Sequence, residues 1–463
     1  AGWVGVVVGT GGGTCASLGG AAGSLAAASI LGGAGAAGAL SVVGGAAEAA
    51  VVLGGGAVVG VFDDVVDLAA LRGFLTARVG AAAVADLDGA SESAGEEPGG
   101  ARQLDDPVPR LEHGPLELLF TVDEETGLTG AANLSPDFLI SRTLLNLDSE
   151  EEGAIYVGCS GGKDTLGTWK LRFDEPSSSL TPIQLKVSGL KGGHSGLDID
   201  KGRGNAIKIM NRTIMALEEI NARLASIAGG NKHNAIPREC EAVLLVKPKS
   251  VTRAEKIVNV INETVRKEFG SVEPDLLISI AVLNTGNQFS PVRRADQRRI
   301  TKTISALPHG VIKMSSDIAG LVETSTNLAV IETAQDSVRV ATSQRSSVAS
   351  ELDEITRTVS SVLELGGATV SYTDAYPGWK PNMDSPILKT AKDAYTSLYG
   401  KEPEVKAIHA GLECGIIGEK FHGMDMISFG PTLEGVHSPD ERIYIDTVER
   451  FWNFLLEILR RAE

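Results

Sequence analysis

From residue 181 onward the apolar positions of the chain keep two periods. Ile183, Leu185 and Val187 alternate with polar residues, the two-residue period of a half-buried strand, and lead into the glycine-rich turn GLKGGHSGLDIDKGRGN. Ile207, Met210, Ile214, Leu217 and Leu224 then recur at helical spacing, which predicts one helix through them. Further strands are predicted at 241–247, 276–284, 325–333, 336–344 and 368–372. Helices are predicted at 252–267, on Ala254, Ile257, Val258, Ile261 and Val265, and at 348–364, on Val348, Leu352, Ile355, Val359 and Leu363. Strands interleaved with helices over this span describe a separate layered α+β domain. The turn-rich segment TDAYPGWKPNMDSP is its exit.

On either side the pattern changes. Between Leu116 and Gly162, two apolar strands each run into an acidic cluster, Asp123-Glu124-Glu125 after the first and Asp148 to Glu152 after the second. Past the exit come a helix near 385–399, the segment AIHAGLECGIIGEKF, the strand MDMISFG and the loop PTLEGVHSPDERI. A final amphipathic helix places Val448, Phe451, Trp452, Leu455 and Leu459 on one face. His437 lies seven residues past Gly430, where that strand ends, so it is placed as the two acidic clusters are. In an open α/β sheet, functional groups gather at the carboxyl ends of the strands. Carboxylates packed that closely repel unless a cation sits among them, and imidazole with carboxylates is a common zinc ligand set. The alternative is a pair of solvated acidic loops and a surface histidine.

A chain of 463 residues implies two or three domains. The net charge of -17 and the pI near 5.0 argue against a nucleic-acid partner and fit a soluble cytoplasmic protein. Cys15, Cys159, Cys240 and Cys414 form no CxxC pair, which argues against a disulfide framework or a thiolate zinc site and for a reducing compartment.

The first 112 residues have an anomalous composition. Ala1 to Gly60 hold 19 Gly, 16 Ala and 10 Val, Glu48 is the only charge among them, and Arg72 is the first basic residue of the chain. The stretch lacks the basic start of a signal peptide and the long Leu/Ile runs of a membrane span. The tract VGVVVGTGGGTCASLGG has Gly9 and Gly11 at dinucleotide-loop spacing, but Thr14 holds the third glycine position and no acidic residue follows at the required distance. Asp63, Asp64, Asp86 and Asp88 are the only oxygen ligands on offer before the acidic strands, and they read better as surface acids.

The blocks HGPLELLFTVDEETGLTGA, NLDSEEEGAIYVGCSGG, GLKGGHSGLDIDKGRGNA, HNAIPREC, AYPGWKPNMDSP, HAGLECG and SFGPTLEGVHSPDE, in that order from His113 to Glu463, resemble the Xaa-His dipeptidases. These belong to the di-zinc metallopeptidases, with carboxypeptidase G, aminoacylase and carnosinase. The resemblance implies a zinc-peptidase-like α/β catalytic domain, formed by 1–180 and 375–463, with an inserted α+β lid and dimerisation domain at 181–374. It implies two zinc ions, with manganese or cobalt as other divalent occupants, a dipeptide substrate and a homodimer, with neither nucleic acid nor membrane as partner. Residue by residue, it implies that Glu124 is the general base, that Glu125 is a zinc ligand, that Asp148 is a ligand to one zinc and His437 to the other, and that His194 polarises the scissile carbonyl across a dimer. Asn234, His409 and Glu413 fall in blocks that resemble substrate-lining segments.

The chain departs from that family at two places. VVLGGGAVVG resembles the strand that should carry an HxD motif, and it holds Gly56 at the histidine position and Val58 at the aspartate. No Asp-Asn-Gly turn occurs before His113, so the bridging carboxylate is missing too. Either the Gly/Ala/Val run stands where other residues belong, or this is an inactive relative acting as a metal-free binding protein. A deacylase or carboxypeptidase of the same family is the alternative activity.

Overall fold

Alternation along one strand explains the larger of two compact units, 158–381 with 407–415. In Thr181–Ser188 the side chains of Ile183, Leu185 and Val187 are fully buried, while Gln184, Lys186 and Ser188 between them are half-exposed. The strand is second in a nine-stranded antiparallel sheet: Leu277–Val282, Thr181–Ser188, Cys240–Val246, Arg223–Gly229, Val322–Thr333, Ser337–Ser346, Gly161–Lys170 and Thr369–Tyr372, with Gly310–Met314 pairing Val322–Thr333. Helices Ala206–Ala216, Val251–Phe269, Arg294–Ala306 and Ala349–Leu365 close one core with it, through Ile207, Met210, Val258, Ile304 and Val359 among others. Each such aliphatic side chain contributes about 1.5–3 kcal/mol.

The single helix expected through Leu224 is two elements. It ends at Ala216, a 3-10 turn follows at Leu217–Ile220, and Asn221 takes a left-handed conformation (φ 60) that stops helical propagation. Leu224 stays buried because the strand Arg223–Gly229 returns to the same core. Gly161–Lys170 and Arg294–Ala306 were not legible, the first because glycines and charges break its alternation, the second because it carries few apolar residues beyond Ile300 and Ile304.

The computed structural model describes residues 3–8, 52–54, 57–62, 65–66, 111–121, 128–176, 178–284, 289–373, 375–434, 436 and 441–462. The second unit comprises 1–157, 382–406 and 416–463. Its sheet runs Val52–Gly54, Ala57–Phe62, Leu116–Thr121, Trp3–Val8, Thr143–Asn146, Asp425–Ser428, Ala154–Cys159, Glu404–Ile408. Trp3–Val8 pairs antiparallel with both Leu116–Thr121 and Thr143–Asn146, so those two strands run the same way. Asp425–Ser428 pairs parallel to Thr143–Asn146, so three strands end at one edge of the sheet.

The final helix, Ile445–Arg461, buries Val448, Phe451, Leu455 and Leu459 as its pattern predicts, together with Phe454 and Ile458, and leaves Trp452 half-buried. Phe429, just past Asp425–Ser428, meets the Phe454 ring at 4.8 Å between centroids. The helix Pro386–Tyr399 is anchored at its start: Ser385 caps Leu388 N–H and donates to Asp425 Oδ1 at 2.6 Å, and Asp425 Oδ2 accepts from Ile387 N–H.

Candidate functional site

The edge where those three strands end is where the sequence places its acidic groups. Register sets Thr121 opposite Trp3, and Asn146 opposite both Gly5 and Ser428, so the ends are nearly level. Glu124 and Glu125 follow Thr121 by three and four residues and lie outside the described residues, as does His437, nine residues past Ser428. Asp148 is described. It is half-buried, two residues past Asn146, and its N–H donates to Asn146 Oδ1 at 2.8 Å. Gly56, Asp63, Asp64, Asp86 and Asp88 also lie outside the described residues, and Val58 is in Ala57–Phe62. No group of three metal-ligating side chains is formed among the described residues.

The donor chemistry therefore decides the fit to a metal. Glu125, Asp148 and His437 are of the types that hold zinc. Two ions close together also need a bridging carboxylate, and glycine and valine at 56 and 58 offer no donor. By donor type the set fits zinc, and it lacks the bridging carboxylate that a pair of ions needs.

In the other unit, a polar sheet face collects the remaining predicted residues. Val322–Thr333 begins with five buried polar residues, Glu323 to Asn327, and register sets Ser325 opposite Arg345 and Asn327 opposite Ser343. Alternation puts these four on one face. Arg345 is only 5% exposed, and its guanidinium donates to the Ser195 hydroxyl at 3.3 Å and the Tyr376 hydroxyl at 2.6 Å. No carboxylate pairs with it among the described residues. A guanidinium buried among neutral partners is costly unless an anion completes the site. Sequence reading missed Arg345 and Tyr376, because only the fold shows that a strand arginine points into a buried face.

His409 is buried on the same face, its Nε2 hydrogen-bonded to the Ser325 hydroxyl at 2.7 Å. Burial first, then Arg345 and His194, depress its pKa to about 3. The HAGLECG segment is held by Ser160 N–H, which donates to the carbonyls of Ile408 and Ala410, and Glu413 is buried at the start of Glu413–Lys420.

His194 sits in a tight turn. Gly196 approaches so closely that a Cβ there would strike the His409 carbonyl oxygen, which explains the glycine. The N–H groups of Gly196 and Leu197 donate to His194 Nδ1 at 3.2 and 3.1 Å. Nδ1 is thus an acceptor, so the neutral ring carries its proton on Nε2. Burial, then Arg345, opposed by Asp198, lowers its pKa to about 4. Asn234 is brought alongside: the strand pair Gly193–His194 and Ala235–Ile236 sets His194 opposite Ala235, and Ser195 N–H donates to the Asn234 carbonyl at 2.8 Å. The structure thus gathers His194, Asn234 and His409 with Arg345 and Tyr376 in one unit.

A sheet-based unit whose strand ends lead toward acidic segments, with an α+β unit holding a neutral histidine and an arginine that no carboxylate pairs among the described residues, has the parts of a metal-dependent hydrolase. Comparison with known proteins agrees. Residues 185–273 match the peptidase dimerisation domain of the M20 family. The cytosol non-specific dipeptidase of Escherichia coli (strain K12) is 37% identical over 349 residues, 75% of this chain and 72% of that protein. The crystal structure of aminoacylhistidine dipeptidase from Vibrio alginolyticus matches with a TM-score of 0.72 and 40% identity, covering 76% of this chain and 72% of that one. The chain belongs to the M20 metallopeptidases, in their dipeptidase branch, with the α/β fold and inserted dimerisation domain of that family.

Proposed function

We propose that this metallo-dipeptidase acts as a cytoplasmic homodimer on free dipeptides, Xaa-His among them, and that it anchors the substrate's terminal carboxylate on Arg345. The buried, uncompensated guanidinium carries the reading, since a planar carboxylate is the anion its fork matches. Tyr376 and Ser195 hold the fork, and His409, neutral and hydrogen-bonded to Ser325, adds a polar wall without a competing charge. Asn234 and Glu413 line the substrate-binding segments.

His194 serves as the neutral donor: its Nε2–H meets the scissile carbonyl and stabilises the oxyanion that grows there. Glu124 is the general base, holding the proton taken from the attacking water and passing it to the leaving amine. Glu125, Asp148 and His437 hold zinc, which supplies Lewis acidity when bound. The family resemblance implies two ions, and the donors this chain carries support one. The dimerisation domain and the cytosolic relative support the homodimer and the compartment.

Steady-state kinetics on a dipeptide, its C-terminal amide and an acylated amino acid test the reading. The dipeptide is expected to be preferred over its amide by about a hundredfold or more in kcat/KM, the loss that follows when a buried charge goes unpaired. Equal rates on dipeptide and amide would remove Arg345 from the role. Preference for the acylated amino acid would favour a deacylase.

A further inference from the structure

We infer that Asp198, braced by Arg203, is a positioning residue for His194: it shapes the turn that keeps Nδ1 an acceptor and so leaves the ring's proton on Nε2. The inference rests on the reading of His194 as the neutral donor.

Asp198 Oδ2 accepts from the His194 backbone N–H at 2.9 Å, and the Asp198 N–H donates to the His194 carbonyl at 3.1 Å. These two reciprocal bonds close a five-residue ring. Inside it the amides of Gly196 and Leu197 are turned toward the imidazole, and both reach Nδ1. The other carboxylate oxygen, Oδ1, pairs with Arg203 Nη2 at 2.9 Å, and Arg203 Nη1 donates to the Gly192 carbonyl. Gly193, at φ 144, lies where a Cβ would run into both Asp198 and Arg203, so the brace occupies the space a side chain would need.

A second carboxylate separates this role from general loop stability. Glu273, 1% exposed, accepts from the N–H of Lys191 and of Gly204, each at 2.9 Å, and so ties the two ends of the glycine-rich segment together. With the ends held there, what Asp198 adds is local to His194. Without the ring, the Gly196 and Leu197 amides are free to leave Nδ1, and the proton is then shared between both nitrogens.

The test is nuclear magnetic resonance of the full chain carrying 15N,13C-labelled histidine, with His194 assigned by its loss in H194Q. The unmodified protein is expected to show His194 as a single Nε2–H tautomer at pH 7. Asp198→Ala is expected to give a mixture of tautomers, Arg203→Ala a smaller admixture, and Asp198→Asn, which keeps the acceptor for the His194 N–H, largely the original state. Arg203→Ala also covers the case in which Asp198→Ala fails to fold. In the zinc-loaded protein, Asp198→Ala is expected to lower kcat on dipeptides with little change in KM, and to add no further loss to H194Q. A pure Nε2–H tautomer in both alanine variants would overturn the inference. A mixed tautomer in Asp198→Ala, together with unchanged turnover in H194Q, would uphold the positioning and overturn the role given to His194 at the carbonyl.

Discussion

Nη1 of Arg345 donates to the hydroxyl of Tyr376 at 2.6 Å, and the tyrosine ring lies over Gly162, the residue that register sets opposite Arg345. A Cβ at Gly162 would enter that ring. The glycine therefore makes room for the tyrosine that aims the arginine. In the proposed function this pairing aims the arginine at the substrate's carboxylate, because a guanidinium fixed at one end offers its remaining donors in one direction.

Removing the tyrosine hydroxyl should loosen that aim without removing the charge. A hydrogen bond to a charged group contributes about 1.5–3 kcal/mol, so Tyr376→Phe is expected to raise KM for dipeptides roughly ten- to hundredfold. Its effect on kcat is expected to be small, and the C-terminal amide should be nearly indifferent to the change. Equal losses on dipeptide and amide would show that the tyrosine acts on something other than the carboxylate.

Three histidines with depressed pKa values, buried His409 and half-buried His309 and His194, make stability depend on pH. His409 is held near 3 by burial and by Arg345, and His309 near 4 by burial and by Lys208, against about 6.5 for an exposed imidazole. As pH falls below about 6.5, the unfolded chain takes up protons that the folded chain refuses until pH 4 and then 3. Stability is therefore full above pH 6.5 and is lost as pH drops toward 4, by at most about 1.4 kcal/mol per pH unit for each group. Urea unfolding at pH 7 and pH 5 should show the loss, and His309→Gln should flatten it. An unchanged slope in that variant would mean that His309 is not held neutral.

Glu117 is a buried carboxylate in the unit that ends in the acidic edge. It is 5% exposed in the strand Leu116–Thr121 and accepts from Ser141 N–H at 2.8 Å and from Ile140 N–H at 3.1 Å. It ties the approach to Thr143–Asn146 onto the neighbouring part of the sheet. Glu117→Ala leaves two amides without their acceptor and is expected to cost about 1–3 kcal/mol for each that stays buried, while Glu117→Gln, which keeps one acceptor oxygen, costs less. Denaturant midpoints for the two variants check this, and identical midpoints would place the carboxylate outside the load path of that unit.

How much could be read beforehand follows from what a linear pattern encodes. The strands at 183–187, 241–247 and 325–333 and the helices at 252–267 and 348–364 announced themselves, because each buries one face and so alternates or repeats. Gly161–Lys170 did not, since Gly161 and Gly162 are there for close approach of the Tyr376–Gly378 segment and Gly167 for that of Leu363, and glycines carry no apolar signal. His194, Asn234 and His409 stood out by the blocks around them. Arg345 stayed hidden within SVRVATSQRS, where nothing local separates a buried arginine from a solvated one, and only the strands and loops packed on it make that distinction. Glu124, Glu125 and His437 were legible as charged or imidazole groups a few residues past strand ends that the register sets nearly level.

Metal content follows from the donor count. Glu125, Asp148 and His437 would satisfy one zinc if they share it, whereas the family resemblance divides Asp148 and His437 between two ions and adds a bridging carboxylate that the matching blocks do not supply. Elemental analysis after equilibration with zinc and removal of the excess is expected to give about one ion per chain. Asp148→Asn, which exchanges an anionic ligand for a neutral amide, should lower the occupancy, and a chelator should remove both the metal and any peptide hydrolysis. Placing histidine at Gly56 and aspartate at Val58 together should raise the zinc bound, because these positions resemble the ones where the family carries the missing donors. Two ions per unmodified chain would show that other side chains complete the site, and none would leave the acidic strand edge as a solvated surface.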